Sequence, residues 1–126
     1  MTNKPKAQGT WWETFIVDWA NQHPRLKAAW RLPEGGGKDG GDVAIETIDG
    51  DVYVIEAKWR DGFQIHRGLN KHLSKMEKAD YPFVPAGAAL MWKRSVRKPG
   101  NEKRSPDGLP DVVVIPRDEW LDLITR

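Results

Sequence analysis

The stretch Val52-Tyr53-Val54-Ile55-Glu56-Ala57-Lys58-Trp59 constrains the fold more than any other part of the chain. Val52, Val54, Ile55 and Ala57 make it apolar on much of both faces, as expected for a central strand with little access to solvent. Yet Glu56 and Lys58 lie at its end, and two residues apart in a strand both side chains point to one face. Two readings are open: a solvent-facing cross-strand pair on an amphipathic strand, or charges held in a covered sheet for a chemical purpose.

The residues before this strand sharpen the choice. Asp42 to Thr47 and Asp51 to Trp59 read as a hairpin joined across Ile48-Asp49-Gly50. A two-residue Asp49-Gly50 turn would pair Asp42 with Ala57 and send Asp42 to the face opposite Glu56 and Lys58. A three-residue loop with Gly50 in the left-handed region instead pairs Asp42 with Glu56 and keeps Lys58 on the same face. The three-residue form is the expectation; a bulge near Asp42 would give the same alignment. Two carboxylates and an ammonium at one point are what a hard divalent cation and a scissile phosphate require, so the chain reads as a metal-dependent nuclease.

With 126 residues, 39% hydrophobic, and no cysteine, the expectation is one compact domain without disulfides or thiolate metal sites. The longest apolar stretch, near Ala86 to Trp92, is far short of the roughly 20 residues of a membrane span, and no hydrophobic signal region opens the chain; a cytoplasmic location is expected. Net charge is only +2, so the placement of bases matters more than their number. Lys93, Arg94, Arg97, Lys98, Lys103 and Arg104 fall in one stretch with Glu102 as its only acid. A polyanionic partner and a solvated basic loop both account for that run.

Met1 to Gly9 reads as a flexible basic arm, and Thr10-Trp11-Trp12-Glu13 as a capping box that opens a helix. Trp12, Phe15, Ile16 and Trp19 give that helix a core-facing stripe, and His23-Pro24 ends it. Leu26 to Leu32 reads as a strand, and Glu34 to Gly41 as a loop with five glycines. That loop lacks the Gly-Lys-Ser/Thr ending of a nucleotide phosphate loop. Ile65, Leu69, Leu73 and Met76 predict a second helix over about Phe63 to Ala79, whose other face carries Arg67, Lys71, Lys75 and Lys78. Ala86 to Trp92 reads as a buried strand, Lys93 to Pro110 as a mobile basic loop, and Asp111 to Ile115 as a last strand. A closing helix starts at Pro116 and carries Trp120, Leu121 and Ile124. His23, His66 and His72 lack metal-ligand spacing and read as surface or groove residues, and Trp59 as packing. The order predicts an α/β domain with a central mixed β-sheet flanked by helices.

Gly9 and Glu13, the glycine-rich approach to Gly41-Asp42-Val43, the Ile55-Glu56-Ala57-Lys58 strand and the basic helix after it form an ordered set. This set resembles the PD-(D/E)xK nuclease superfamily, and within it the archaeal-type Holliday junction resolvases, including relatives encoded by phages. The resemblance covers roughly the first 92 residues, and Gly41 stands where the name-giving proline would be. It implies a restriction-endonuclease-like core and a catalytic set of Glu13, Asp42, Glu56 and Lys58. Mg²⁺ or Mn²⁺ would be held by Asp42, Glu56 and the Ala57 backbone carbonyl, with Glu13 a ligand directly or through water. Glu13 also has a plain reading as the third residue of the capping box.

The resemblance further implies a homodimer in the cytoplasm, or the host cytoplasm for a phage-encoded chain, that nicks opposed strands of a four-way DNA junction. Phe63, Ile65, Leu69 and Phe83 could form the dimer contact or equally belong to the core. Arg31, Lys38, Arg60, Arg67, Lys71, Lys75, Arg94 and Arg97 are the candidate DNA-binding residues. Two alternatives stay open: another nuclease of the superfamily acting on duplex, flap or single-stranded DNA, and a non-catalytic DNA-binding module on the same fold.

Overall fold

The computed structural model describes residues 4–33, 40–60, 65–94, 96–97, 104–105 and 111–126. Along the chain run α1 (Lys4–Asn21), β1 (Leu26–Arg31), β2 (Val43–Thr47), β3 (Val52–Arg60) and α2 (Ile65–Lys78). They are followed by β4 (Pro85–Arg94), β5 (Val96–Arg97), β6 (Arg104–Ser105), β7 (Val112–Val114) and α3 (Arg117–Ile124). The protein is α/β. A five-stranded mixed sheet of order β1-β2-β3-β4-β7 is flanked by helices, and β5 pairs with β6 in a separate ribbon. Among the described residues only β3 and β4 are parallel, and α2 lies in the crossover that such a pair needs.

The strand that is apolar on both sides is the middle one. Ile55 faces a core built with Trp12, Ile16 and Ala20 of α1, Val43 and Ile45 of β2, and Ala89 and Met91 of β4. Val54 is also fully buried, and the His72 ring on α2 meets its carbonyl from the other side of the sheet. Trp12 Nε1–H donates to the Met91 carbonyl at 3.1 Å, tying α1 to β4. At the other end of α1, the Asn21 amide brackets Ala29 of β1. It accepts from the Ala29 N–H at 2.8 Å and donates to its carbonyl at 3.1 Å.

The hairpin has the three-residue loop. Its register runs Val43↔Ile55, Ala44↔Val54, Ile45↔Tyr53 and Glu46↔Val52. Gly50, at φ 90°, donates its N–H to the Thr47 carbonyl at 3.0 Å, and Thr47 N–H donates to the Asp51 carbonyl at 2.9 Å. The Asp42 N–H donates to the carbonyl of Ile55, the residue opposite Val43, at 2.9 Å.

Several expectations are corrected. α1 starts at Lys4, with Pro5 in its first turn where a missing N–H costs nothing. Thr10 is therefore inside the helix and caps nothing, and residues from Lys4 onward do not form an arm. Trp11, Phe15 and Trp19 of α1 are half exposed, while its buried stripe is Trp12, Ile16 and Ala20. Burial follows the spacing of four, which places these three on one line along the helix. Lys93 belongs to β4, its ammonium resting between the rings of Trp11, Trp12 and Trp59. Trp59 is accordingly a packing residue. Trp120, Leu121 and Ile124 of α3 stay half exposed, and the helix is held instead by the Glu119 carboxylate, which accepts from the Ala88 N–H at 3.1 Å. Lys38, Phe63 and most of the 95–110 segment lie outside the described residues. Among the described residues no helix is long and apolar enough to cross a membrane.

The two glycines at positive φ differ in their surroundings. A Cβ at Gly50 would meet open space, whereas one at Gly41 would lie 2.6 Å from Val54 Cγ1 and 3.1 Å from His72 Cε1. Gly50→Ala should therefore cost about 1 kcal/mol of backbone strain, and Gly41→Ala should cost clearly more because strain and overlap add. Denaturant unfolding of the two variants checks the order; equal losses would contradict the described approach to Asp42.

Candidate active site

Asp42, Glu56 and Lys58 come to one end of the sheet because the hairpin and the strand alternation put them there. Asp42 enters β2 beside the end of β3, and its Oδ2 accepts the Ala57 N–H at 2.8 Å. Glu56 and Lys58 share a face of β3, with Lys58 Nζ 3.4 Å from Glu56 Oε1. Glu13 arrives from α1. Only 7% exposed, it receives a hydrogen bond from Arg31 Nη2 at 3.1 Å on one side and meets the Asp42 carboxyl on the other. With Thr10 inside the helix, the capping account of Glu13 falls away, and its burial at the sheet end remains to be explained by the site.

The electrostatics follow from this convergence. Burial, then the charge of Glu56 and the neighbouring Glu13, push the Asp42 carboxyl from its ordinary 3.8 up to about 8, against the opposing pull of the Ala57 N–H. Burial would also raise Glu56, but the His72 ring, Lys58 and Lys75 outweigh it and hold that carboxyl down to about 2. The site thus divides one proton unequally between neighbouring carboxylates, as closely placed acids do. Among the described residues no three imidazole or carboxylate groups are already closed around a common point. The donor set nevertheless suits a cation. Carboxylates from α1, from the residue before β2 and from β3 meet under partial burial, and Glu56 Oε2 is buried with the His72 ring 3.5 Å away.

His72 is the residue that sequence reasoning misplaced. It is 1% exposed rather than on the surface, its Nε2 3.0 Å from the Val54 carbonyl and its Nδ1 3.5 Å from Glu56 Oε2. A signal for it existed: Ile65, Leu69, His72 and Met76 also have helical spacing, so position 72 belongs to the inner face as well as Leu73 does. Lys75, three residues later, turns the same way and lies close enough for its charge to act on Glu56.

The other candidate bases divide. Arg31 is engaged with Glu13, while Arg67 and Lys71 are exposed on α2. Arg60 and Arg94 end β3 and β4, which pair there in register, and Arg97 lies in β5. Of the candidate dimer residues, Ile65 and Leu69 are half buried on α2, and Phe83 stacks on Tyr81 and meets Trp30 edge-on. Tyr81 in turn donates a short hydrogen bond to the Gly40 carbonyl, fixing the approach to Gly41 and Asp42.

The sequence matches no protein-family model and no curated protein.

Because the folded state keeps the Asp42 proton to about 8 while an unfolded aspartate releases it near 3.8, the folded state binds more protons across that window. Stability should therefore fall as pH rises from about 4 to 8 on account of this residue. Glu56 acts oppositely: its share is present above 4.5 and lost as pH falls towards about 2. In chelator, Asp42→Asn should be more stable than the parent at pH 9 by on the order of 1 to 3 kcal/mol, with the difference shrinking at pH 5. Urea unfolding at the two pH values measures it. A difference that does not depend on pH would contradict the carboxylate cluster.

Proposed function

We propose that this protein is a metal-dependent endonuclease with a restriction-endonuclease-like core, hydrolysing DNA phosphodiester bonds at the Glu13, Asp42, Glu56 and Lys58 cluster. The observation that carries the reading is the meeting of carboxylates from α1, the residue before β2 and β3 with a lysine at one end of the sheet. A protein kept only for its fold gains nothing from such a meeting, since the repulsion at Asp42 lowers its stability near neutral pH. A catalyst that must hold a divalent cation beside a phosphate does gain from it.

Asp42, Glu56 and the Ala57 carbonyl are the proposed protein ligands of Mg²⁺ or Mn²⁺, with Glu13 joining directly or through water. When bound, the cation supplies a more acidic water and relief of negative charge at the phosphate. The chain's own residues do the rest. Lys58, 25% exposed at its side chain and beside Glu56, faces the phosphate's non-bridging oxygens and stabilises the charge that grows there. Arg31 fixes the direction of the Glu13 carboxylate. Exposed Arg67 and Lys71 on α2 contact the DNA backbone away from the reacting bond, and Lys75 extends that positive surface towards Glu56.

The substrate proposed is branched DNA, a four-way junction cut by a homodimer, on the likeness of the ordered motif set to the junction resolvases. Cleavage should need Mg²⁺ or Mn²⁺ and stop with chelator. Lys58→Ala should slow it by about 10²- to 10³-fold, and Asp42→Asn should reduce it to background. Rates on a four-way junction, a linear duplex and a flap of shared sequence separate the possible substrates. Preference for the junction supports the resolvase reading, equal rates contradict it, and undiminished activity in Asp42→Asn contradicts the site.

A further inference from the structure

Two buried atoms with no other hydrogen-bond partner, His72 Nδ1 and Glu56 Oε2, face each other at 3.5 Å. The opposite ring nitrogen narrows what Nδ1 offers. Nε2 lies 3.0 Å from the Val54 carbonyl, which can only accept, so Nε2 carries a hydrogen. Nδ1 then either carries a second hydrogen, given to Glu56 Oε2, or presents a lone pair aimed at a carboxylate oxygen that presents another. Two buried acceptors at this distance repel unless something positive lies between or beside them.

Their separation fits a shared cation. Donor atoms about 2.1 to 2.2 Å from one ion, at angles between right and tetrahedral, stand roughly 3.0 to 3.5 Å apart. An imidazole whose far N–H is given to a backbone carbonyl is also the usual arrangement of a metal-bound histidine, because that bond fixes the tautomer and the ring direction. Gly41 packs closely on this ring, since a Cβ there would sit 3.1 Å from His72 Cε1, and its next residue is Asp42.

We propose that His72 is a metal ligand through Nδ1, sharing a cation with Glu56 Oε2, so that the site takes a first-row transition ion such as Mn²⁺ or Co²⁺ in preference to Mg²⁺. The nitrogen donor sets this preference, since imidazole binds such ions far better than it binds Mg²⁺. The inference rests on the carboxylate cluster being a cation site and adds which ions it selects.

The test is binding of Co²⁺ and Mg²⁺ to the full chain, followed by calorimetry and by the visible spectrum of the Co²⁺ form. His72→Gln keeps a donor for the Val54 carbonyl and should lose about 10- to 100-fold in Co²⁺ affinity, with a much smaller change for Mg²⁺. Proton NMR of the unmutated Co²⁺ protein supplies a readout that no variant can disturb, because a bound imidazole shows a strongly shifted, exchangeable Nε2–H signal. Undiminished Co²⁺ affinity in His72→Gln, together with its loss in Glu56→Gln, would show that His72 is no ligand and only packs against Glu56. That outcome overturns the histidine's role and leaves the carboxylate site standing. Failure of the unmutated chain to bind any divalent ion overturns both.

Discussion

The register of one hairpin decides whether this protein has a site at all. Side chains alternate faces along a strand, so a slip of one residue between β2 and β3 would carry Asp42 away from Glu56 and Lys58. What prevents the slip is local: Gly50 in the left-handed region, its N–H on the Thr47 carbonyl, and Thr47 N–H on the Asp51 carbonyl. The apolar pattern agrees with this register, since it buries Val43, Ile45 and Ile55 together against α1. Turn chemistry and core packing therefore select the same pairing, and the carboxylates are brought together as a consequence.

That pairing works against stability elsewhere. Asp42 sits partly buried between Glu56 and Glu13, and its carboxyl responds by holding its proton to about 8. The neighbouring charges are shared out rather than cancelled at one point: Arg31 serves Glu13, and Lys58 and Lys75 serve Glu56. Asp42 receives chiefly the Ala57 N–H. An arrangement with unsatisfied negative character at its centre and positive groups around it suits a ligand that brings both a cation and an anion, which is what a metal-bound phosphate is.

How much of this could be read from the sequence depended on the range of the interaction. The hairpin, its three-residue loop and the shared face of Glu56 and Lys58 were legible because strand period and turn chemistry are local rules. The mixed sheet followed from strand patterning and from the helix between β3 and β4. Three features were hidden. The start of α1 was obscured because Thr10 and Glu13 mimic a capping box while the helix begins at Lys4. The exposure of Phe15 and Trp19 depends on which line of α1 meets the sheet, and hydrophobicity alone does not rank Trp12, Ile16 and Ala20 above them. His72 was hidden because its partners, Val54 and Glu56, lie on a strand whose contact with α2 no short-range pattern encodes.

The central claim is that Asp42 and Glu56 hold a divalent cation where Lys58 can reach the phosphate bound to it. Crystals grown with Mn²⁺ and measured at the manganese absorption edge test this most directly. The account predicts one anomalous peak within about 2.0 to 2.3 Å of carboxylate oxygens from both Asp42 and Glu56. Manganese bound only elsewhere on the protein, or no peak while Asp42 and Glu56 keep their positions, would contradict it.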